Sequence, residues 1–341
     1  MIKEKMRKTG ALVITLAMLM SVLILPQVGA AVGVDDDRTN CKIEINVQGC
    51  KMKELSGVGE EGEELTALPI TVNLYKVAKI SVEGEYFPVE GMSLDLTQVS
   101  DETTADDWAK LAEQAKAEIE ANEMEIAATG NTEEGSVTIT DLEAGLYLVD
   151  AQQVLSDAYQ YDFTPFLVSL PNNYYYTGED DTWVYELVGD KAIGLKPEKT
   201  DRYGDLIINK ELDSYNEMLG GANFVFQIEG TKTDIDTDAV KVVYSDVVSM
   251  NFTGAGSDSI KIEHIPAGAE IVVTEVYSGA SYELTSAASQ TVTIVAEDVV
   301  ETNFSNTMNE KLNGGSGLVN SFIYNNETGE WTHSASVDST P

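Results

Sequence analysis

The sequence predicts an all-β protein of two tandem β-sandwiches, with one amphipathic helix inserted in the first. Short runs rich in Val, Ile, Thr and Tyr recur along the chain, and these residue types fit the half-buried surface of a sheet. In the second half of the chain, turn residues separate such runs at regular intervals, which is typical of a sandwich. The length of 341 residues exceeds one typical hydrophobic core and indicates two domains.

Residues 1–30 are predicted to be a secretory signal peptide. Basic residues precede an apolar run over 11–25, and the small residues at 28–30 fit a cleavage site after Ala30. The apolar run is shorter than the ~20 residues of a transmembrane helix, and an uncleaved membrane anchor is the alternative. We therefore expect an exported protein whose mature form has no membrane segment.

The first domain is predicted over residues 31–195. Its strands are expected where polar and apolar residues alternate or β-forming residues cluster, over 41–48, 68–80, 136–139, 145–149, 164–170 and 183–187. Between them, apolar residues recur at helical spacing from Trp108 to Ile119, and either Thr104 or Asp106 is suited to cap the start. This pattern predicts a helix within residues 100–121.

Residues 196–204 combine proline, glycine and mixed charge, and we predict an interdomain linker there. The second domain follows over 205–310. Its strands are expected over 205–212, 223–228, 240–243, 246–252, 259–264, 270–276, 291–295 and 299–304. Residues 311–341 are predicted to be a Gly-rich tail, in which 326–329 can turn a β-hairpin.

The chain is strongly acidic. Its formal net charge is −37, and removal of residues 1–30, which hold four basic residues and one acidic residue, makes it −40. Such a surface repels nucleic acid and anionic lipid, so neither is an expected partner. An EF-hand reading of Asp234, Asp236 and Asp238 lacks the required glycine at Ala239 and the closing acid at Ser245. We therefore predict no metal and no cofactor.

The two cysteines, Cys41 and Cys50, leave one question open. Export permits a disulfide between them. The alternation over 42–48 predicts a strand, however, and an extended strand separates the two cysteines by about 30 Å, beyond disulfide reach. Either the segment folds back or the two cysteines do not pair with each other.

A weak internal repeat links the two halves. "DLEAGLYLVDAQ" begins at Asp141 and "HIPAGAEIVVTE" begins at His264, and each places Ala-Gly before a strand. We infer a shared ancestor and fold for the two domains, although Ala-Gly turns are common. In this alignment Gln152 occupies the position of Glu275.

Three polar residues of the second domain fall on apolar strand faces. Period-two alternation places Lys210 on the same strand face as Leu206, Ile208 and Leu212. It likewise places Glu275 and Asn306 on strand faces whose other residues are apolar. A buried charge or amide without a partner is costly, so we expect the three to meet one another. The alternatives are a plain Lys–Glu ion pair with an asparagine nearby, or three residues at a half-solvated rim.

Together these residues can form a Lys–Asn isopeptide bond. Burial lowers the pKa of a lysine and raises that of a glutamic acid, which favours a neutral amine nucleophile and a protonated acid. Lys210 would attack the side-chain carbon of Asn306 and release ammonia, with Glu275 as the catalytic proton shuttle. Because the reaction turns over once and within one chain, we do not predict an enzyme.

Four further pieces of the second domain, within residues 205–309, are "GDLIINKEL", "LGGANFVFQI", "IPAGAEIVVTEVYSGASYEL" and "NFSNTMN". Through them the second domain resembles the collagen-adhesin B-type (Cna-B) domains of Gram-positive surface proteins. The resemblance implies an immunoglobulin-like sandwich. It also implies an intramolecular bond whose lysine, glutamate and asparagine fall on Lys210, Glu275 and Asn306.

The first half is similar to the N-terminal domain of sortase-assembled pilins, through "ITVNLYKVA", "EAGLYLVDA", "YDFTPFLVSLPNN" and "TWVYELVGDKAIGLKPE". The similarity implies a lysine that a sortase joins to another subunit. Its nearest counterpart is Lys196, with Lys191 as a rival, although "LKPE" departs from the expected "YPKN". Since Gln152 replaces the glutamate, we predict no internal isopeptide bond in this domain.

The sequence therefore predicts a secreted structural protein of the Gram-positive cell surface, pilin-like or adhesin-like. Expected partners are other surface or pilus subunits, joined through a sortase. The chain ends in "HSASVDSTP" and not in a Leu-Pro-x-Thr-Gly signal, so we expect it to accept a link or to bind non-covalently, unless it is part of a longer gene.

The alternative function is an extracellular module that binds a host protein or a glycan through the aromatic segment 172–183, with Tyr174, Tyr175 and Tyr176. Hydrolase motifs are absent, and the only histidines are His264 and His333.

Overall fold

The computed structural model describes residues 33–47, 62–100, 103–173, 183–218, 220–233, 239–279, 281–309, 317–325 and 330–338. The chain divides into two compact units, Met1–Thr200 (unit 1) and Asp201–Pro341 (unit 2). Strands dominate both units, and the predicted all-β class is confirmed. The division falls inside the segment predicted as a linker.

Several predicted features lie outside the described residues. They are the signal peptide at 1–30, Cys50, the acidic triplet Asp234, Asp236 and Asp238, the tyrosines 174–176, and the turn at 326–329. Cys41, which does lie in the described part, is buried. Within that part of the chain, no helix is both long and apolar enough to cross a membrane.

The described residues of unit 1 form short strands and two α-helices. The strands are β1 (Cys41–Asn46), β2 (Thr71–Ile80), β3 (Tyr86–Pro88), β4 (Ala128–Asn131), β5 (Ser136–Leu142), β6 (Gly145–Ala151), β7 (Val154–Leu155), β8 (Tyr159–Phe163), β9 (Phe166–Leu170), β10 (Asn172–Asn173), β11 (Trp183–Val184), β12 (Glu186–Leu187), β13 (Ile193–Gly194) and β14 (Pro197–Asp201). The helices are α1 (Gly62–Ala67) and α2 (Ala105–Ala121), and a 3₁₀ turn spans Gly189–Lys191.

Two sheets and helix α2 build the core of unit 1. One sheet has the order β12-β1-β13 with β5 also pairing β1, and the other has the order β3-β2-β6-β9 with β4 also pairing β2. Every residue of β6 is buried. Strand β6 shows no alternation because hydrophobic clusters cover both of its faces, one of them containing Ala112, Ala115 and Ile119 of α2.

Helix α2 begins where the capping pattern predicts. Thr104 is the N-cap, and its hydroxyl accepts a hydrogen bond from the backbone N–H of Asp107, whose side chain accepts from the backbone of Thr104 in return. This capping box satisfies two N–H groups that the first helical turn leaves unpaired. Of the two predicted caps, Thr104 is therefore correct and Asp106 lies inside the helix. Helix α1 was not predicted, because six residues are too few for a helical period to be visible.

Unit 2 is a two-sheet sandwich. Its strands are β15 (Tyr203–Leu212), β16 (Ala222–Thr233), β17 (Val240–Phe252), β18 (Gly256–Pro266), β19 (Glu270–Tyr277), β20 (Tyr282–Leu284), β21 (Ser289–Thr293) and β22 (Val299–Met308). One sheet has the order β18-β15-β22-β20 and the other β17-β16-β19-β21. The inward residues of both sheets form one hydrophobic cluster that includes Phe224, Phe226 and Phe304.

The first and last strands of the sandwich, β15 and β22, lie side by side and run parallel. Their register pairs Lys210 with Phe304 and Leu212 with Asn306. Lys210 and Asn306 therefore share one face of adjacent strands, displaced by two residues. Glu275 belongs to β19, in the opposite sheet.

Three predicted segments differ in detail. The expected strands at 240–243 and 246–252 are one strand, β17, with an irregularity opposite Gly230 and Thr231. The segment 196–204 contains β14 and the start of β15. The tail holds two antiparallel strands, β23 (Gly317–Asn325) and β24 (Glu330–Asp338), which pair along their whole length.

Candidate functional site: a buried lysine, glutamate and asparagine

The three residues singled out in the second domain meet in the core of unit 2. Lys210 is 1% exposed, Glu275 is 7% exposed and Asn306 is 0% exposed. The side chains of Lys210 and Glu275 have no exposed surface at all. The alternative of a half-solvated rim is therefore wrong, because alternation placed each residue on an inward face that the facing sheet covers.

Direct contacts join all three side chains. The Lys210 amine donates to Asn306 Oδ1 in a short hydrogen bond. Asn306 Nδ2 donates to Glu275 Oε1 at 2.7 Å. Glu275 Oε2 lies 3.3 Å from Lys210 Nζ and accepts no hydrogen bond in the described structure. The carboxyl group thus faces the amine with one oxygen and the amide nitrogen with the other.

Burial sets the protonation of the pair. It lowers the pKa of Lys210, because desolvation of the ammonium outweighs the attraction of Glu275. Desolvation likewise raises the pKa of Glu275 against the opposing effect of Lys210. Both directions favour the neutral amine and the protonated acid over the ion pair.

Phe224 is a fourth component that the sequence reasoning did not single out. Lys210 Nζ lies 4.5 Å from the centroid of its ring. An aromatic face attracts an ammonium ion and acts to raise the lysine pKa, whereas burial in the core lowers it. Alternation along β16 does predict that Phe224 lies on the inward face of its strand. It does not predict which residue of the opposite sheet the ring contacts.

Unit 1 is built differently at the related positions. Gln152, aligned with Glu275, is exposed just after the end of β6. On the first strand, β1, the inward positions Ile43 and Ile45 are apolar and fully buried. Strand β1 thus carries no lysine at its inward positions. The absence of an internal isopeptide bond in this unit remains a prediction.

Lys196 is not a solvated linker residue. It is half-buried between β13 and β14, its amine lies 5.0 Å from the centroid of the Phe166 ring, and its carbonyl accepts a hydrogen bond from Thr164. Burial lowers the pKa of its amine. The rival, Lys191, ends the 3₁₀ turn Gly189–Lys191.

No further cluster of metal-binding side chains accompanies these groups. Among the described residues, no three His, Cys, Asp or Glu side chains lie close enough together to hold a metal ion. The polar groups that meet at this site are an amine, an amide and a carboxyl group.

Comparison with known proteins gives a family model and several solved structures. The model, described as a domain of unknown function (DUF5979), matches residues 206–309, which contain all three core residues. No curated protein matches the chain.

The similar solved structures include three pilins. The minor pilin GBS52 of Streptococcus agalactiae is 16% identical, with 81% of this chain and 100% of that chain covered and a TM-score of 0.24. The shaft pilin SpaA of Lactobacillus rhamnosus GG is 11% identical, with coverages of 80% and 100% and a TM-score of 0.27. The major pilin SpaD of Corynebacterium diphtheriae is 11% identical, with coverages of 81% and 99% and a TM-score of 0.27.

Proposed function

We propose that this chain is a secreted structural subunit of the bacterial cell surface, pilin-like or adhesin-like, stiffened by a Lys210–Asn306 isopeptide bond. The observation that carries the proposal is the mutual contact of Lys210, Glu275 and Asn306 inside the core of unit 2. A sandwich that served only as a binding scaffold would have no need to bury these groups together, since each is costly to bury.

The proposed reaction exchanges one amide for another. The neutral amine of Lys210 attacks Asn306 Cγ, a bond forms between Nζ and Cγ, and the bond between Cγ and Nδ2 breaks. One proton leaves Nζ and arrives on Nδ2, which departs as ammonia. Glu275 begins and ends protonated, so nothing is oxidised or reduced.

Glu275 is placed to move that proton. Its Oε2 faces the attacking amine at 3.3 Å and its Oε1 accepts from the leaving nitrogen at 2.7 Å. Asn306 Oδ1 accepts from the lysine amine, so the carboxyl group lies between the nucleophile and the leaving nitrogen. The geometry supports a shuttle from nitrogen to nitrogen.

The bond would join the first strand of the sandwich to the last. Because β15 and β22 are parallel neighbours, a pull on the two ends of the domain would otherwise load their hydrogen-bond ladder. With Lys210 and Asn306 joined, the covalent link carries the load. This property suits a subunit of a fibre or an adhesive stalk under tension.

The test is the intact mass of the mature wild-type chain beside Lys210→Ala, Glu275→Ala and Asn306→Ala. We expect the wild-type mass to fall below the calculated value by about 17 Da, one ammonia, and all three variants to keep their full calculated masses. A matched control, Lys261→Ala, changes an exposed residue of strand β18 and should lose ammonia as the wild type does. A full calculated mass for the wild-type chain would refute the cross-link.

We further propose that Lys196 accepts an intermolecular bond from another subunit through a sortase. Its lowered pKa and its position beside Phe166 support this role. The other expected partners, a host protein or a glycan, rested on the aromatic segment whose tyrosines lie outside the described residues.

A further inference from the structure

The outer edge of β22 changes its partner along its length. Strand β20 covers this edge only from Asn306 to Met308. One residue earlier, the carbonyl of Ser305 accepts from the backbone of Thr285, and its N–H donates to the hydroxyl of Ser286 at 3.1 Å. Segment 285–290, which leads from β20 into β21, therefore provides the hydrogen-bond partners of β22 where β20 ends.

At Asn303 a side chain replaces the missing strand. The Gln290 amide donates from Nε2 to the carbonyl of Asn303, and its Oε1 accepts from the Asn303 N–H at 3.1 Å. One primary amide thus supplies the donor and the acceptor that a neighbouring strand would present. Because Gln290 belongs to β21 in the opposite sheet, these two bonds also tie the two sheets together at their edge.

Segment 285–290 also contacts β19, the strand that carries Glu275. The backbone N–H of Glu275 donates to the carbonyl of Ala288 at 2.9 Å. Val273, two residues before Glu275, pairs with Gln290 in the β19–β21 register. Residues 285–290 therefore contact the backbone beside Glu275 on one side and the backbone leading to Asn306 on the other.

We propose that Gln290 is a positioning residue for isopeptide formation, holding β22 in the register that presents Asn306 to Lys210 and Glu275. The inference rests on the proposed cross-link. A slip of β22 by two residues keeps Asn306 on the inward face but moves it by about 7 Å, out of reach of the amine. Misplacement by even about 1 Å can slow a positioned reaction ~100-fold.

The first test compares rates in the full chain. Wild type, Gln290→Ala and Ser289→Ala are made by cell-free translation, quenched in acid at intervals and weighed by intact-mass spectrometry. Ser289 is the matched control, because its hydroxyl bonds Thr274 Oγ1 at 2.8 Å across the β19–β21 pair, and alternation places it on the face of β21 opposite to Gln290. We expect Gln290→Ala to lose ammonia about 10–100-fold more slowly than wild type, and Ser289→Ala to match wild type.

A second variant separates positioning from a general loss of stability. In Gln290→Glu, the ionised side chain offers only acceptors and faces the Asn303 carbonyl, whereas the protonated acid restores one donor and one acceptor. The rate relative to wild type at the same pH should therefore be low at about pH 7 and approach one near pH 4. Dividing the variant rate by the wild-type rate at each pH cancels the pH dependence that comes from the ionisation of Lys210 and Glu275.

The outcomes are distinct. Wild type that loses ammonia, with Gln290→Ala and Gln290→Glu equally fast at every pH, overturns the role of Gln290 and leaves the cross-link standing. Wild type that never loses ammonia refutes the cross-link and this inference together. Circular dichroism establishes folding, and if Gln290→Ala does not fold, the pH profile of Gln290→Glu decides.

Discussion

Replacing Glu275 by glutamine removes the proposed proton shuttle with a change of one heavy atom. The amide keeps the size and shape of the acid but has no titratable proton to pass between Lys210 and Asn306. We therefore expect Glu275→Gln to fold with the same sheets and to keep its full calculated mass. Any loss of stability then reports chiefly the missing bond.

The size of that loss follows from the loop that the bond closes. Lys210 and Asn306 are 96 positions apart. Closing a loop of ~100 residues restricts the unfolded chain by about 4.7 kcal/mol in the chain-entropy model used for disulfides. For a domain of this length each kcal/mol shifts the midpoint by about 4–8 °C, so unit 2 of the variant should melt roughly 20 °C or more below wild type.

Scanning calorimetry of the full mature chain measures this shift, with intact mass recorded on the same samples. Glu283→Gln is the control, because Glu283 is an exposed residue of β20 beside the same strand β22. It should lose ammonia and melt as wild type does. A Glu275→Gln protein with full mass that melts within a few degrees of wild type would show that the bond does not stabilise unit 2.

Two further predictions concern the lysines. With a pilus-type sortase and a peptide ending in Leu-Pro-x-Thr-Gly, peptide mapping should find the new amide at Lys196, lost in Lys196→Arg and kept in Lys191→Arg; labelling at Lys191 alone would contradict this. Lys210→Met leaves Glu275 buried without its amine, and burial raises the pKa of that acid. The folded state then holds the proton more tightly than the unfolded state, so stability is greatest below the ordinary glutamate pKa and falls as pH rises through the raised one. The urea midpoint of Lys210→Met should be lower at about pH 7 than at about pH 4. A midpoint that is higher at about pH 7 would refute this.

Alternation along single strands was enough to find the core site. Lys210, Glu275 and Asn306 each broke an apolar face, and the cost of an isolated buried polar group required that they meet. The pattern did not reveal how the carboxyl is oriented, because that depends on the distance between two sheets. It also did not reveal the parallel neighbours β15 and β22, whose register depends on the whole sandwich.

Side chains that act at strand edges were invisible for a different reason. Gln290 occupies an inward position by alternation. Its proposed role depends on β20 ending at Leu284, so that none of the described strands pairs with the backbone of Asn303 on that side. Similarly, Lys196 stood among residues typical of a linker, yet Phe166 covers it. Local composition predicts a loop there but cannot show which aromatic ring packs over it.

The same burial that makes the unreacted site costly also favours its reaction. A core with no exposed side-chain surface on Lys210 or Glu275 penalises the ionised forms of both. This favours their neutral forms, which are the nucleophile and the acid that amide exchange requires. In the proposed product the lysine nitrogen is an amide that no longer takes up a proton at neutral pH, and the ammonia leaves to solvent. In the proposed reaction, the cost of keeping an amine in the core therefore disappears as the amide forms.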